Sequence, residues 1–132
     1  MAAKPKPKKS KQGERKKLEK KVWETMSLYI RARDGKCVTC DTPEGLTMSH
    51  YINARRQIIR YNEYNCNAQC RTCNFTHNHW PYIYEGYMRR VYGDLVLNEL
   101  EEMAEKYKTY KWTVPQLQEL LEYYTDKLAG YE

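Results

Sequence analysis

Two Cys-x-x-Cys pairs stand 29 residues apart: Cys37-Val-Thr-Cys40 and Cys70-Arg-Thr-Cys73. Two intervening residues let both sulfurs of a pair face one point, so two such pairs can close a tetrahedral thiolate site on a zinc ion. Cys66 lies at no ligand spacing and reads as a small buried hydrophobe. A zinc ion closed by four thiolates has no open position and cannot activate water. Any hydrolytic chemistry therefore needs a second site. The stretch between the knuckles offers His50, an imidazole that titrates near neutrality and can serve as a base. It also offers Asn65, and Asn74 follows the last cysteine directly. A side-chain amide can orient a histidine, or bind Mg²⁺ through its carbonyl oxygen. The alternative for both asparagines is a turn or a helix cap.

Several elements must hold these residues. Leu46, Met48, His50 and Ile52 alternate with Thr47, Ser49, Tyr51 and Asn53, which predicts a short strand over 46–53. Residues 61–69 read as its return leg, with Arg55, Arg56 and Arg60 on the connection between them. From Arg71 to Tyr92 the chain reads as helix, interrupted near Trp80 by Pro81. Before the first knuckle, Val22, Trp23, Met26, Tyr29 and Ile30 share one face of a helix over about 18–34, and Gly35 stops it. Two helices close the chain. Asp94 is expected to cap the first, whose stripe runs Val96, Leu97, Leu100, Met103, Ala104 and Tyr107. Thr113-Val-Pro-Gln116 is a capping box for the second, with Leu117, Leu120, Leu121, Tyr124 and Leu128 behind it and Gly130 at its end. Both stripes read as core. The expected fold class is α+β, mostly helical by residue count: a small zinc-stapled core with flanking helices. The organisation reads as a disordered basic tail (1–17), a zinc-bound core with its leading helix (18–93) and a C-terminal helical hairpin packed on the same domain (94–132).

Composition agrees with a small, intracellular, polyanion-binding protein. The chain has 132 residues, 13 Tyr and a single Phe, so its core should be modest and a metal staple useful. The net charge of +6 is uneven: +8 over residues 1–21, +3 over 22–93 and −5 over 94–132. Eight of the nine central cations are arginines, whose planar fork suits phosphate. No apolar run reaches the roughly 18 residues of a membrane span, and no secretory signal is visible. A cytoplasmic setting follows, where paired cysteines favour metal over disulfide.

The order His50, Asn65, Cys-x-x-Cys-Asn74 resembles the HNH, or ββα-metal, nucleases in their His-Asn-Asn form. Asn74 directly after the final cysteine is similar to phage endonuclease VII. The fuller likeness is to the NinG (Rap) recombination-nuclease family of lambdoid and related phages. It rests on Ser27-Leu-Tyr-Ile-Arg-Ala-Arg-Asp34, Cys37-Val-Thr-Cys40, His50-Tyr-Ile52, Arg60-Tyr61, Asn65-Cys-Asn-Ala-Gln-Cys70, Cys73-Asn74, Tyr92-Gly93 and Lys111-Trp-Thr-Val114, from about Val22 to Leu128.

The resemblance implies a metal-dependent DNA endonuclease. It would cut branched recombination intermediates such as Holliday junctions, in the host cytoplasm. In this pattern His50 is the general base, Asn65 steadies it, and Asn74 holds a catalytic Mg²⁺ or Mn²⁺. Arg55, Arg56, Arg60 and Arg71 would clamp flanking phosphates. A homodimer would suit a four-way junction, and phage recombination proteins are candidate partners. Four positions depart from the pattern. Ser49 precedes His50 where the family has Gly and many HNH nucleases have an Asp or His ligand. His79-Trp80 replaces Gly-Asn, and Ala54 replaces an Arg. With no acidic ligand evident, His77, Asn78, Asp41 and Glu63 are candidates to complete the metal shell. His77 stands out because it lies one helical turn from Asn74. Two other readings stay open: an HNH nuclease nicking ordinary duplex, and a zinc-stapled DNA-binding module without catalysis. A protein-interaction adaptor using the acidic C-terminal helices is a further rival.

Overall fold

The structure, a computed structural model, describes residues 11–132. Its elements run α1 (Lys11–Asp34), β1 (Leu46–His50), α2 (Gln57–Arg60), β2 (Cys66–Cys70), α3 (Arg71–His77), α4 (Tyr82–Val91), α5 (Asp94–Lys106) and α6 (Val114–Ala129). The class is α+β, mostly helical, with one two-stranded sheet.

α1 begins earlier than the sequence pattern predicts. Lys11 to Lys17, expected as disordered tail, are helical, and the remainder of that tail lies outside the described residues. The extension has a physical basis. Arg15 meets Glu19 at 3.5 Å and Lys20 meets Glu24 at 3.9 Å, both at i,i+4 spacing, and Glu14 sits in the positive first turn. Leu18 continues the buried stripe of Val22, Met26, Tyr29 and Ile30 onto α6. The helix stops at Gly35, whose φ of +69° suits the left-handed C-terminal position and whose N–H bonds the Arg31 carbonyl.

β1 and β2 pair antiparallel with Leu46 opposite Cys70 and His50 opposite Cys66. Both strands are shorter than expected. β1 ends at His50 rather than Asn53, and the return leg is extended only from Cys66. The reason is Asn65: its carboxamide takes the Ile52 N–H at 2.8 Å and gives an N–H to the Ile52 carbonyl at 2.9 Å, closing the ladder with a side chain. Pro81 divides the following helix as expected, leaving α3 and α4 on either side of a short turn.

Two cores flank the sheet. α1, the sheet and α6 bury Val22, Met26, Ile30, Met48, Ala68, Leu117 and Tyr124. α2, α4 and α5 bury Ile59, Tyr84, Met88, Leu97 and Leu100. The two C-terminal helices therefore do not form the expected hairpin: α6 lies along α1, while α5 packs against α2 and α4. Asp94 is not the cap of α5 either. Gly93 holds that position at φ +85°, and Asp94 in the first turn receives Arg89 at 2.5 Å. The capping box on α6 forms as expected: Thr113 Oγ1 accepts from the Gln116 N–H, and Gln116 Oε1 accepts from the Thr113 N–H.

Candidate functional site

The four cysteines converge at the start of β1 and the end of β2. The first knuckle is a turn held by the Cys37 N–H to the Thr42 carbonyl (2.8 Å) and the Asp41 N–H to the Cys37 carbonyl (2.9 Å), with Asp41 at φ +67°. The second is the head of α3, where Cys70 caps the helix and its sulfur accepts the Cys73 N–H at 3.4 Å. The Val38 N–H reaches the Ala68 carbonyl and ties the first knuckle to β2. All four sulfurs lie within 4.8 Å of one another, with Cys40 and Cys70 3.7 Å apart. A tetrahedral ion with Zn–S bonds of about 2.3 Å needs sulfurs about 3.8 Å apart, so the cluster can hold a metal ion such as zinc. Burial opposes the Cys37 thiolate, but the Thr39 hydroxyl and backbone N–H groups outweigh it and bring the thiol down to about 6. Burial, with neighbouring cysteines, lifts Cys73 to about 12. A bound cation would reverse that second trend. Cys66 is fully buried and sits in the α1 core, as expected of a small hydrophobe.

Beside this cluster lies an open cleft of about 310 Å³, lined by Trp23, Met48, His50, Tyr51, Asn53, Ala54, Asn74, His77 and Asn78. It runs past the edge of β1 that pairs with no strand, from α1 on one side to α3 on the other. The alternation of β1 divides the labour. Met48 points into the core beneath α1, and the His50 ring stacks on Trp23 with centroids 4.9 Å apart. Thr47 and Ser49 face α3, where they hold Asn74: Ser49 Oγ lies 3.0 Å from Asn74 Oδ1, and Asn74 Nδ2 donates to Thr47 Oγ1 at 3.2 Å. Ser49 Oγ is also 2.6 Å from Gln69 Oε1, so its single proton serves one of two acceptors.

His50 is tied down at Nε2, which lies 2.8 Å from the Arg60 carbonyl. A carbonyl accepts only, so Nε2 carries the proton and Nδ1 keeps the lone pair. Burial lowers the imidazole to about 4, and the Arg60 charge adds to that while the carbonyl bond opposes it. The ring is neutral at physiological pH. His77 is held similarly, with Nε2 2.9 Å from the Tyr51 carbonyl and its ring between Tyr51 and Tyr84. Its Nδ1 is buried with no partner.

The remaining expectations divide. Asn65 does not touch the imidazole. Its amide bonds the backbone of Ile52 and Ile59, so it fixes the loop that carries the Arg60 carbonyl and acts on His50 only through that loop. None of the four arginines lines the cleft. Arg55 and Arg71 are exposed, Arg56 leans toward Glu105 at 4.0 Å, and Arg60 donates to the Ala54 carbonyl at 2.9 Å. Two proposed ligands are elsewhere: Asp41 is exposed and pairs with Lys36, while Glu63 accepts from Tyr29 and Tyr123. His77 and Asn78 do border the cleft, and among the described residues no carboxylate does. Trp23 and Ser49 are site residues that the sequence pattern did not single out as such. Trp23 falls on the apolar stripe of α1 and looks like core.

A two-stranded sheet, a helix capped by Cys70 and four converging thiols define a small α+β protein with a cysteine cluster that could hold a metal ion and a cleft beside it. The chain belongs to the family described as Bacteriophage Lambda NinG protein, which it matches over residues 2–131. Comparisons with curated proteins and with solved structures return no match. No helix among the described residues is long and apolar enough to cross a membrane.

Proposed function

We propose that this protein is a metal-dependent DNA endonuclease of the HNH type that cuts branched recombination intermediates. The observation that carries the reading is that a tethered His50 and an oriented Asn74 open onto one cleft, beside a thiolate cluster that fixes the strand and helix bearing them. Zinc at the four cysteines is structural in this account. A Mg²⁺ or Mn²⁺ ion bound in the cleft would neutralise charge on the scissile phosphate and leaving oxygen.

His50 supplies the base through Nδ1, since its other nitrogen is committed to the Arg60 carbonyl. Burial keeps the ring unprotonated at neutral pH, but it also makes His50 a weaker base than the imidazole titrating near neutrality that the sequence suggests. Asn74 Oδ1 has a second lone pair beyond the one facing Ser49, an oxygen donor suited to a hard cation that also takes phosphate oxygens from DNA. His77 borders the same cleft, but its Nδ1 is buried. Arg55 and Arg71, both exposed, would contact flanking phosphates. The preference for branched DNA rests on family membership.

The test is cleavage of a four-way junction, a flap and a linear duplex by the purified protein and its His50→Ala variant, with and without Mg²⁺ or Mn²⁺. Cation-dependent cutting of the branched substrates, lost in the variant, is expected. Equal cutting of all three would favour a duplex-nicking enzyme. The carboxylate-free cleft favours a second reading, a zinc-stapled DNA-binding module. In that case the variant would bind DNA as the parent does and neither protein would cut.

A further inference from the structure

The turn joining α3 to α4 and the helix ends beside it carry exposed apolar side chains that the catalytic reading does not use. Phe75 in α3 is 66% exposed, Trp80 in the turn 63%, and Tyr82 and Ile83 at the start of α4 71% and 57%. The turn is not slack: the His79 and Trp80 N–H groups both bond the Thr76 carbonyl, at 2.9 and 2.7 Å, and Pro81 follows with a fixed φ of −69°. A large apolar ring is thus held out in water by a rigid backbone.

Trp80 and Ile83 border a second groove of about 120 Å³, shared with Thr39, Gln69, Cys73 and His77. His77 also borders the main cleft, so the two depressions lie on either side of one shared side chain. Two of the polar side chains here are already committed: Gln69 Nε2 donates to Thr39 Oγ1 at 3.0 Å, and Thr76 Oγ1 donates to the Thr72 carbonyl at 2.8 Å, while the His77 Nδ1 is buried without a partner. No Asp or Glu occurs between Glu63 and Glu85, while Arg71 is exposed at the head of α3. The surface is therefore aromatic, free of acidic residues in its own segment, and adjacent to the cleft across His77.

We propose that this turn is a base-stacking platform: Trp80 and the groove beside it take one unpaired nucleobase of a DNA whose backbone crosses the main cleft. Every base has a π-face, so stacking on an aromatic ring tolerates any sequence. A perfect duplex keeps its bases stacked internally, whereas a flap or branch point offers one that is free. The platform thus selects branched DNA by the state of its bases rather than by its outline. It deepens the nuclease reading and rests on it for the word substrate.

Binding is measured without added divalent cation, using a flap with 2-aminopurine at its unpaired position and a duplex of equal length. The proteins are the parent, Trp80→Ala, Trp80→Phe and His50→Ala, each checked for zinc content and melting temperature. The parent and Trp80→Phe are expected to favour the flap about tenfold and to quench the 2-aminopurine, while Trp80→Ala drops to within about twofold and loses the quench. A Trp80→Ala protein that keeps both preference and quench overturns the platform. So does a Trp80→Ala protein that changes only from dimer to monomer in sedimentation, which would make this face a contact between copies. The nuclease reading falls separately. Cutting that survives in His50→Ala sinks that reading alone, and cutting that requires His50 with no effect of Trp80→Ala sinks the platform alone.

Discussion

The bond from His50 Nε2 to the Arg60 carbonyl decides the chemistry open to that ring, because it places the free lone pair on Nδ1. Burial holds the imidazole at about 4, below the ordinary histidine value of about 6.5. The unfolded chain therefore binds a proton that the folded chain refuses. His50 leaves stability untouched above about pH 6.5 and subtracts from it as pH falls toward 4, by on the order of 3 kcal/mol in full. Chemical denaturation of the parent and of His50→Gln across this range checks the sign: the parent should lose stability relative to the variant on acidification. Asn65 provides a second residue-scale test. Asn65→Ala leaves the Ile52 backbone groups unpaired, which should cost about 1–3 kcal/mol and slow any cutting by loosening the Arg60 carbonyl. Placement relative to the two knuckles made His50 and Asn74 legible as a pair. The actual role of Asn65 was not, since a side chain that bonds backbone leaves no mark in the residue pattern. The Trp23 stack on His50 was hidden for a related reason: α1 lies 27 positions upstream of His50, and only tertiary packing brings the two together.

At the scale of elements, the knuckles join what the core alone would leave loose. β1 and β2 form a two-stranded ladder, which is marginal without support, and α3 has seven residues. The four cysteines sit where these three elements meet. Cys40→Ser, or a strong chelator, should remove the bound zinc and lower the melting temperature steeply. Metal analysis with near-ultraviolet circular dichroism reads the loss of zinc and of fixed aromatic packing together. The identical spacing of the pairs made this centre readable in advance. Strand ends were less readable, because Asn65 closes the ladder with side-chain bonds that mimic the backbone. The helical start at Lys11 was obscured by composition. Lysines and arginines that look like a solvated tail also satisfy i,i+4 pairing, and Leu18 on α6 decides between the two.

For the molecule as a whole, two cores divide the labour. One joins α1, the sheet and α6, and the other joins α2, α4 and α5, with the cleft on the sheet edge near both. Leu117→Ala, at a fully buried site between α6 and α1, should cost about 2–5 kcal/mol. Its effect on any DNA cutting by the folded fraction should be small. The helical stripes identified α5 and α6 correctly as core elements. They did not indicate that the two separate, since periodicity names a buried face but not its partner. Charge is likewise a property of the whole. Residues 1–10 carry four lysines. Deleting them should reduce the slope of log affinity against log salt for DNA by about 3–4 while leaving the flap preference intact.

In the proposed mechanism, Asn74 holds a cation at the DNA phosphate that His50 faces. Crystals of the His50→Ala protein bound to an uncut branched DNA in Mn²⁺ test it directly through the anomalous signal of manganese. A peak about 2 Å from Asn74 Oδ1, touching a phosphate oxygen with the vacated imidazole position alongside, is the expected result. DNA bound across another face, or bound at the cleft with no manganese at Asn74, would contradict it.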